Sequence, residues 1–344
     1  MELLRDRKFF NKKEIDFDSV VNILLCSDKN VIRGLGTTVV SILENISMPC
    51  VIHVAFNGDL PKHEEIRFLE LANKYKTSII FYWIDDKDIK NLHSNGYITT
   101  TAYYRLLMPY VLQDFHIDRC LYLDTDVICV NDFSDWYTQD FSPYIAFVTK
   151  DATATPNLRE EKTCKEIGMK GIDYFNSGIM LIDISRYVSD NIGYKAMSLC
   201  SKNDYSAMDQ DVLNIVLEGN VLFDKTYTYN CAMSVRNDEV PNNIVFVHFT
   251  GGKKPWRLCV SELGEKTASL GDIKSWRYKY YEEWRTYAAI SPWAEVPFTL
   301  PNNYTEWRYY STVCFKNGQY LKAIKLYFKY LSVNCQAKCN TFEK

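Results

Sequence analysis

LYLDTDVICV, residues 121–130, sets two carboxylates, Asp124 and Asp126, one residue apart behind a short apolar run. The run Cys120–Leu123 predicts a buried strand, and the apolar residues after Asp126 extend the pattern. In a strand, residues two apart point to the same side. The two carboxylates are therefore expected to converge on one hard divalent cation, Mg²⁺ or Mn²⁺ being favoured by oxygen ligands. Two protein carboxylates leave most of such a cation's coordination open, and a diphosphate is the usual supplier of the rest. An isolated D-x-D is more often a pair of solvated turn aspartates. The segments on either side decide between these readings.

Upstream, strand and helix patterns alternate. Asn22–Ser27, Cys50–Phe56 and Ser78–Trp83 read as buried strands. Residues 34–45, 61–75 (proline at the first helical position) and 100–112 read as helices. Residues 1–19 read as a polar lead-in. Downstream, residues 144–148, 175–184 and 244–249 read as strands and 185–201 and 209–217 as helices, with a polar loop or short helix over 151–171. The alternation predicts an α/β fold with a mostly parallel sheet covered by helices. Ligands of such sheets bind beyond the carboxyl ends of strands, where both Asp28 and the aspartate pair fall. After about Gly271 the pattern turns helical and aromatic, which places a boundary between residues 1–270 and 271–344.

The 344 residues carry a net charge of −3, which argues against general nucleic-acid binding. That charge is unevenly spread. From Gly271 onward there are 11 basic and 6 acidic residues, against 29 and 37 before it, and the same stretch holds 18 of the 50 aromatic residues. A basic, aromatic tail on an acidic body is the pattern of an interaction surface. The 11 cysteines include no C-x-x-C pair, the mark of reduced, cytosolic thiols. The first 18 residues are too charged for a signal peptide, and no run of about 18 apolar residues predicts a membrane-spanning helix.

Further residues suit the chemistry of a bound nucleotide. IVFVHFTGGKKPW (244–256) ends a strand near His248, a candidate nitrogen ligand to the cation. Gly251 and Gly252 free the backbone to approach phosphate, and Lys254 follows as a neutralising charge. Asn176 and Ser177 open a buried strand and suit sugar hydroxyls, with Gly178 allowing close approach. Asp209 is a natural N-cap, and with Gln210 and Asp211 it also suits a polar ligand. Asp28 and Asn30 suit a base and ribose, and Arg105 a diphosphate or sugar. Each has a plainer alternative as a turn, a cap or a surface ion pair.

In chain order, the blocks CSDKN (26–30), AYYRL (102–106), LYLDTDV (121–127), YFNSGIMLID (174–183), DQDVLN (209–214) and HFTGGKKPW (248–256) resemble glycosyltransferase family 8, the retaining enzymes of GT-A fold. Within it they are most similar to bacterial lipopolysaccharide core hexosyltransferases, and the tail from Trp276, with Ser291–Trp293, resembles their C-terminal extension. The resemblance implies a mixed α/β sheet flanked by helices, with a helical C-terminal extension. It implies Asp124, Asp126 and His248 as ligands of Mn²⁺ or Mg²⁺. Cys26, Asp28 and Asn30 would lie along the uridine, and Gly251 and Lys254 would hold the diphosphate. Arg105, Asp151, Asn176, Ser177, Asp209 and Gln210 would surround the hexose of a UDP-hexose donor. Cys26 stands where relatives often carry alanine, and Ala102 lacks a hydroxyl that relatives use. Catalytic roles fall to Gln210, Asp209 and Asp151. The amide of Gln210 would occupy the face where a double displacement needs a carboxylate, which implies same-face transfer assisted by the leaving phosphate. The expected reaction moves glucose or galactose from UDP onto the lipopolysaccharide outer core, in α-1,2 or α-1,3 linkage.

Residues 318–334 carry Tyr320, Ile324, Tyr327, Phe328 and Leu331 on one helical stripe, with Lys322, Lys325 and Lys329 outside it. An ordinary packed helix and docking on an anionic membrane surface both fit. A lipid-linked acceptor favours the second and implies a protein bound peripherally to the cytoplasmic face of the inner membrane. Other functional classes share single features. A haloacid-dehalogenase-like phosphatase also has a strand ending in D-x-D, but there the motif opens the fold. A non-catalytic nucleotide-sugar-binding protein and a self-glucosylating starter protein share the architecture.

Overall fold

The strands of the N-terminal unit run, in chain order, β1 (Leu4–Phe10), β2 (Val21–Asp28), β3 (Cys50–Asn57), β4 (Ser78–Ile84), β5 (Arg119–Leu123), β6 (Val127–Cys129), β7 (Ala146–Lys150), β8 (Phe175–Asp183), β9 (Val221–Asp224), β10 (Cys231–Ala232) and β11 (Phe246–His248). The computed structural model describes residues 3–11, 15–94, 99–152, 158–263 and 275–342. The chain divides into two compact units, Met1–His248 and Phe249–Lys344. The boundary expected at 270/271, and part of the loop expected over 151–171, lie outside the described residues.

Eight strands form the main sheet in the order β1-β4-β3-β2-β5-β8-β7-β9. β4, β3, β2 and β5 pair in parallel, and β8 runs antiparallel to both β5 and β7. The fold is the helix-flanked α/β sheet that the alternation predicts, but its sheet is mixed, as the resemblance implies, and not mostly parallel, because β1, β5, β7 and β8 enter antiparallel pairings. β2 lies at its centre because its sequence is apolar on both faces. Ile23, Leu24 and Leu25 are wholly buried, each stabilising the fold by roughly 1.5–3 kcal/mol. A second sheet, β10-β11-β6, stands beside the first.

Several expectations are corrected. Part of the polar lead-in is the edge strand β1, paired antiparallel with β4. Its charges (Arg5, Asp6, Arg7, Lys8) hide the strand signal yet suit an edge exposed to water, while Phe10 packs on Phe68 and Phe81. The helix expected over 185–201 is two helices, Ile184–Ser189 and Ile192–Cys200. Asn191, with φ +57°, turns the chain between them, a conformation that asparagine tolerates better than most residues. The helix expected over 100–112 begins as a 3₁₀ turn, Thr100–Tyr103, before the helix Tyr104–Gln113.

The C-terminal unit is helical: Leu258–Ser261, Ser275–Ile290, Tyr304–Lys316 and Tyr320–Phe342. Trp284 and Trp293 are buried in it. Arg257 pairs with Glu306 at 2.8 Å, and Asn303 caps the third helix by accepting from the Glu306 N–H. The last helix packs on the third through Ala323, whose carbonyl accepts from Ser311 Oγ at 2.8 Å. Tyr320, Leu321, Ile324, Tyr327 and Phe328 remain exposed. No helix among the described residues is long and apolar enough to cross a membrane.

Candidate active site

The D-T-D stretch is not part of one strand. β5 ends at Leu123, residues 125–126 form a turn, and β6 begins at Val127 in the other sheet. The carboxylates converge through this turn and not through strand alternation. The helix Ile32–Asn45 anchors it: Thr38 Oγ1 reaches the carbonyls of Thr125 (3.0 Å) and Val127 (2.7 Å), and Ser41 Oγ accepts from the Cys129 N–H at 2.9 Å. On the other side, the Asp124 N–H donates to the Gly178 carbonyl at 2.8 Å.

His248 ends β11 directly opposite Val127, so the pairing of two short strands carries it to the aspartates. Its Nε2 lies 3.3 Å from Asp126 Oδ1 and 3.7 Å from Asp124 Oδ2. One ligand atom from each of the three falls within 4.8 Å of the others. The imidazole is buried, and the carboxylates are partly open to solvent. Asp124 Oδ1 is already held, accepting from Tyr122 Oη at 2.6 Å and Arg105 Nη2 at 2.9 Å, which leaves Oδ2 to face His248.

Two observations test whether these residues suit a divalent cation. Two carboxylates and one imidazole match the donor preferences of Mn²⁺ and, less closely, Mg²⁺. Gly178, in β8, presses against the cluster: a β-carbon there would stand 2.3 Å from His248 Cε1 and 2.7 Å from Asp124 Oδ2. A side chain there would displace His248 and Asp124 or push β8 away from them. The residues fit the cation.

A polar cluster adjoins it. Gln210 Nε2 donates to Asp151 Oδ2 (2.9 Å) and Tyr174 Oη (3.2 Å), while its Oε1 accepts from the Ser177 N–H (3.1 Å) and Asn176 Nδ2 (3.2 Å). Asp209 does not cap its helix. It is the first residue of Asp209–Val216, after Met208 at φ +52°, and Asp211 instead reaches back to the Ala207 N–H. The Asp209 carboxylate turns inward to Arg105 Nε at 2.9 Å. Burial pushes Asp209 up to about 6, with Arg105 pulling the other way. Burial opposes the charge on Arg105, but Asp124 and Asp209 more than offset it and raise its pKa. Arg105 also donates to the Ser177 carbonyl and hydroxyl, so its fork joins the metal candidates to the DQD segment.

Cys26 lies near the end of β2, its thiol raised by burial. Asp28 ends the strand half-exposed and accepts from the Asn30 N–H at 2.8 Å, while Asn30 itself is exposed. Gly251 and Lys254 belong to the C-terminal unit. There Gly251 adopts φ +80° and Lys254 Nζ donates to the Phe249 carbonyl at 2.8 Å. Two residues escaped the sequence reading. Tyr122 lay two positions before Asp124, so strand alternation was a usable signal for it. Asn230, whose Oδ1 lies 3.2 Å from His248 Nδ1, sits between aromatic residues and a cysteine with no motif to mark it.

The model of the family described as glycosyl transferase family 8 matches residues 22–259, and that of its C-terminal region matches residues 278–333. General stress protein A of Bacillus subtilis is 27% identical over 78% of the chain and 96% of its own length. Lipopolysaccharide glucosyltransferase WaaO of Escherichia coli is 27% identical over 95% of the chain and 96% of its own. Lipopolysaccharide 1,3-galactosyltransferase of Salmonella typhimurium is 28% identical over 90% of each. A solved structure of an active-site mutant of LgtC superposes with a TM-score of 0.64 at 20% identity, covering 84% of the chain and all of LgtC, a likeness of fold.

Proposed function

The chain belongs to glycosyltransferase family 8, and from that premise we propose that it is a metal-dependent, retaining hexosyltransferase. Its donor is UDP-glucose or UDP-galactose, and its acceptor a hexose of the lipopolysaccharide outer core, joined in α-1,2 or α-1,3 linkage. The observation that carries this reading is the convergence of Asp124, Asp126 and His248 beside the Asp151–Asn176–Gln210 cluster. The relatives active on lipopolysaccharide support the acceptor class.

Asp124, Asp126 and His248 hold the cation, and the nitrogen ligand favours Mn²⁺ over Mg²⁺. When bound, the cation stabilises the negative charge that develops on the departing diphosphate. Lys254 adds a second positive charge to that group, and the backbone at Gly251 approaches it. Cys26, Asp28 and Asn30 bind the uridine. Asp151, Asn176 and Ser177 bind the hexose hydroxyls, while Gln210 presents an amide dipole to the oxocarbenium-like sugar. Arg105 and Asp209 position this set: the Asp209 carboxylate is committed to Arg105 and buried, a poor nucleophile. A phosphatase reading requires the first aspartate to attack freely, whereas Asp124 Oδ1 is held by Tyr122 and Arg105.

The boundary between catalytic region and extension is proposed at about residue 270. The exposed apolar residues of Tyr320–Phe342 support docking of the extension on an anionic membrane, at the cytoplasmic face where the acceptor is assembled. The reaction is tested by incubating the protein with Mn²⁺ and UDP-glucose, UDP-galactose or UDP-N-acetylglucosamine, with and without a deacylated core oligosaccharide. Chelator-sensitive UDP release from one hexose donor is expected. Absence of both release and donor binding sinks the proposal.

A further inference from the structure

His248 can serve as a ligand through Nε2 only if its ring proton sits on Nδ1. In this protein a relay of side-chain amides decides that, and two backbone N–H groups decide the relay. A backbone N–H can only donate. The Gly178 N–H donates to Asn176 Oδ1 at 3.1 Å, and the Ser177 N–H donates to Gln210 Oε1 at 3.1 Å. Both amides are thereby oriented without reference to their other partners.

The remaining directions follow. Asn176 offers its oxygen to Asn230, so Asn230 must present its NH₂ there, at 2.8 Å. The oxygen of Asn230 then faces His248 Nδ1 at 3.2 Å, and an acceptor at that distance requires the proton on Nδ1. The Nε2 lone pair is left pointing at Asp124 and Asp126. The far end agrees. Asn176 Nδ2 donates to Gln210 Oε1, Gln210 Nε2 to Tyr174 Oη, and Tyr174 to Asp211 Oδ1 at 2.6 Å. An ionised carboxylate only accepts, so every bond from Asp211 back to His248 runs one way.

We propose that Asn230 is the positioning residue of the metal site: its carbonyl oxygen fixes the His248 tautomer, and through Asn176 it ties the metal ligand to the amide of Gln210. This rests on the reading of Asp124, Asp126 and His248 as metal ligands. Buried Asn230 acts through its two side-chain neighbours, Asn176 and His248.

The test begins on the unmodified, metal-free protein. Nitrogen-15 spectra of the histidine side chains, with the His248 signals identified by their loss in His248→Gln, should show a proton on Nδ1. An Nδ1 that carries no proton overturns the proposal. Mn²⁺ affinity is then measured by titration on three proteins whose folding is checked by circular dichroism. Asn230→Leu should bind about 10–100-fold more weakly than wild type and show a mixture of His248 tautomers. Asn230→Asp keeps an acceptor for the Nδ1 proton and should bind Mn²⁺ at least as tightly as wild type, while its donor KM rises because Asn176 loses its partner. Equal Mn²⁺ affinity in all three folded proteins overturns the proposal alone. If wild type binds no Mn²⁺, the metal reading falls and this falls with it. If Asn230→Leu does not fold, the wild-type spectrum and the Asp variant still decide.

Discussion

Gly178 and His248 are packed so closely that a single added methyl would stand 2.3 Å from the imidazole Cε1. The imidazole is pinned by Asn230 on its other nitrogen, so the methyl must push the ring off the aspartates or force β8 outward. Overpacking of this kind costs about 1–3 kcal/mol. Gly178→Ala is therefore expected to lower Mn²⁺ affinity about 5- to 100-fold, by the conversion of about 1.4 kcal/mol per tenfold. Calorimetric titration with Mn²⁺ checks this, and unchanged affinity shows that β8 yields instead.

Tyr122 and Arg105 together occupy Asp124 Oδ1, which limits the carboxylate to one free oxygen. In Tyr122→Phe the buried ring stays and one hydrogen bond is lost. The carboxylate is then held at Oδ1 by Arg105 alone, and metal affinity should fall about tenfold with little change in melting temperature. A loss of stability without a change in metal affinity contradicts this role for the hydroxyl.

Asp209 gives the protein a pH dependence. Burial raises its folded pKa to about 6, above the ordinary carboxylate value. Between that ordinary value and about 6 the native protein keeps a proton that the unfolded chain has released, so the contribution of Asp209 to stability falls as pH rises through this window and is constant above it. Function has the opposite sign. Below about pH 6 the carboxylate is protonated and its ion pair with Arg105 is lost. The value of kcat/KM should drop on the acid side with a midpoint near 6, about tenfold per further pH unit. Asp209→Asn should lack this limb. A wild-type profile that stays flat from pH 7 to 5 excludes Asp209 as the controlling group.

The fold was readable because its central strands carry their own signal. β2, β3 and β4 are largely apolar runs spaced by helices, and that pattern has few solutions. β1 was hidden because an edge strand needs charges that look like loop. Asp124, Asp126 and His248 were readable as ligand types, but the means of their convergence was not: a turn crossing between sheets depends on Thr38 and Ser41, some 85 positions upstream. Asn230 was unreadable for a related reason. Its role is set by which atoms face it, and the pairing of β10 with β11 is what sets Asn230 beside His248.

The extension makes the last prediction. Ala323 is buried where its helix packs on Tyr304–Lys316, whereas Leu321, Ile324 and Phe328 are more than half exposed. Lys322 is held by Glu262 at 2.6 Å, so of the three lysines near the stripe Lys325 and Lys329 are better placed to meet an anionic surface. Each basic residue near such a surface contributes about 1 kcal/mol, and the apolar residues add more by insertion. Leu321→Ser with Phe328→Ser should abolish flotation with vesicles rich in anionic lipid, and Lys325→Glu with Lys329→Glu should weaken it by more than tenfold. Turnover of a soluble, deacylated acceptor should be unchanged in both. If both pairs float like wild type, the stripe does not bind membranes; if soluble-acceptor turnover falls as well, the helix supports the catalytic region.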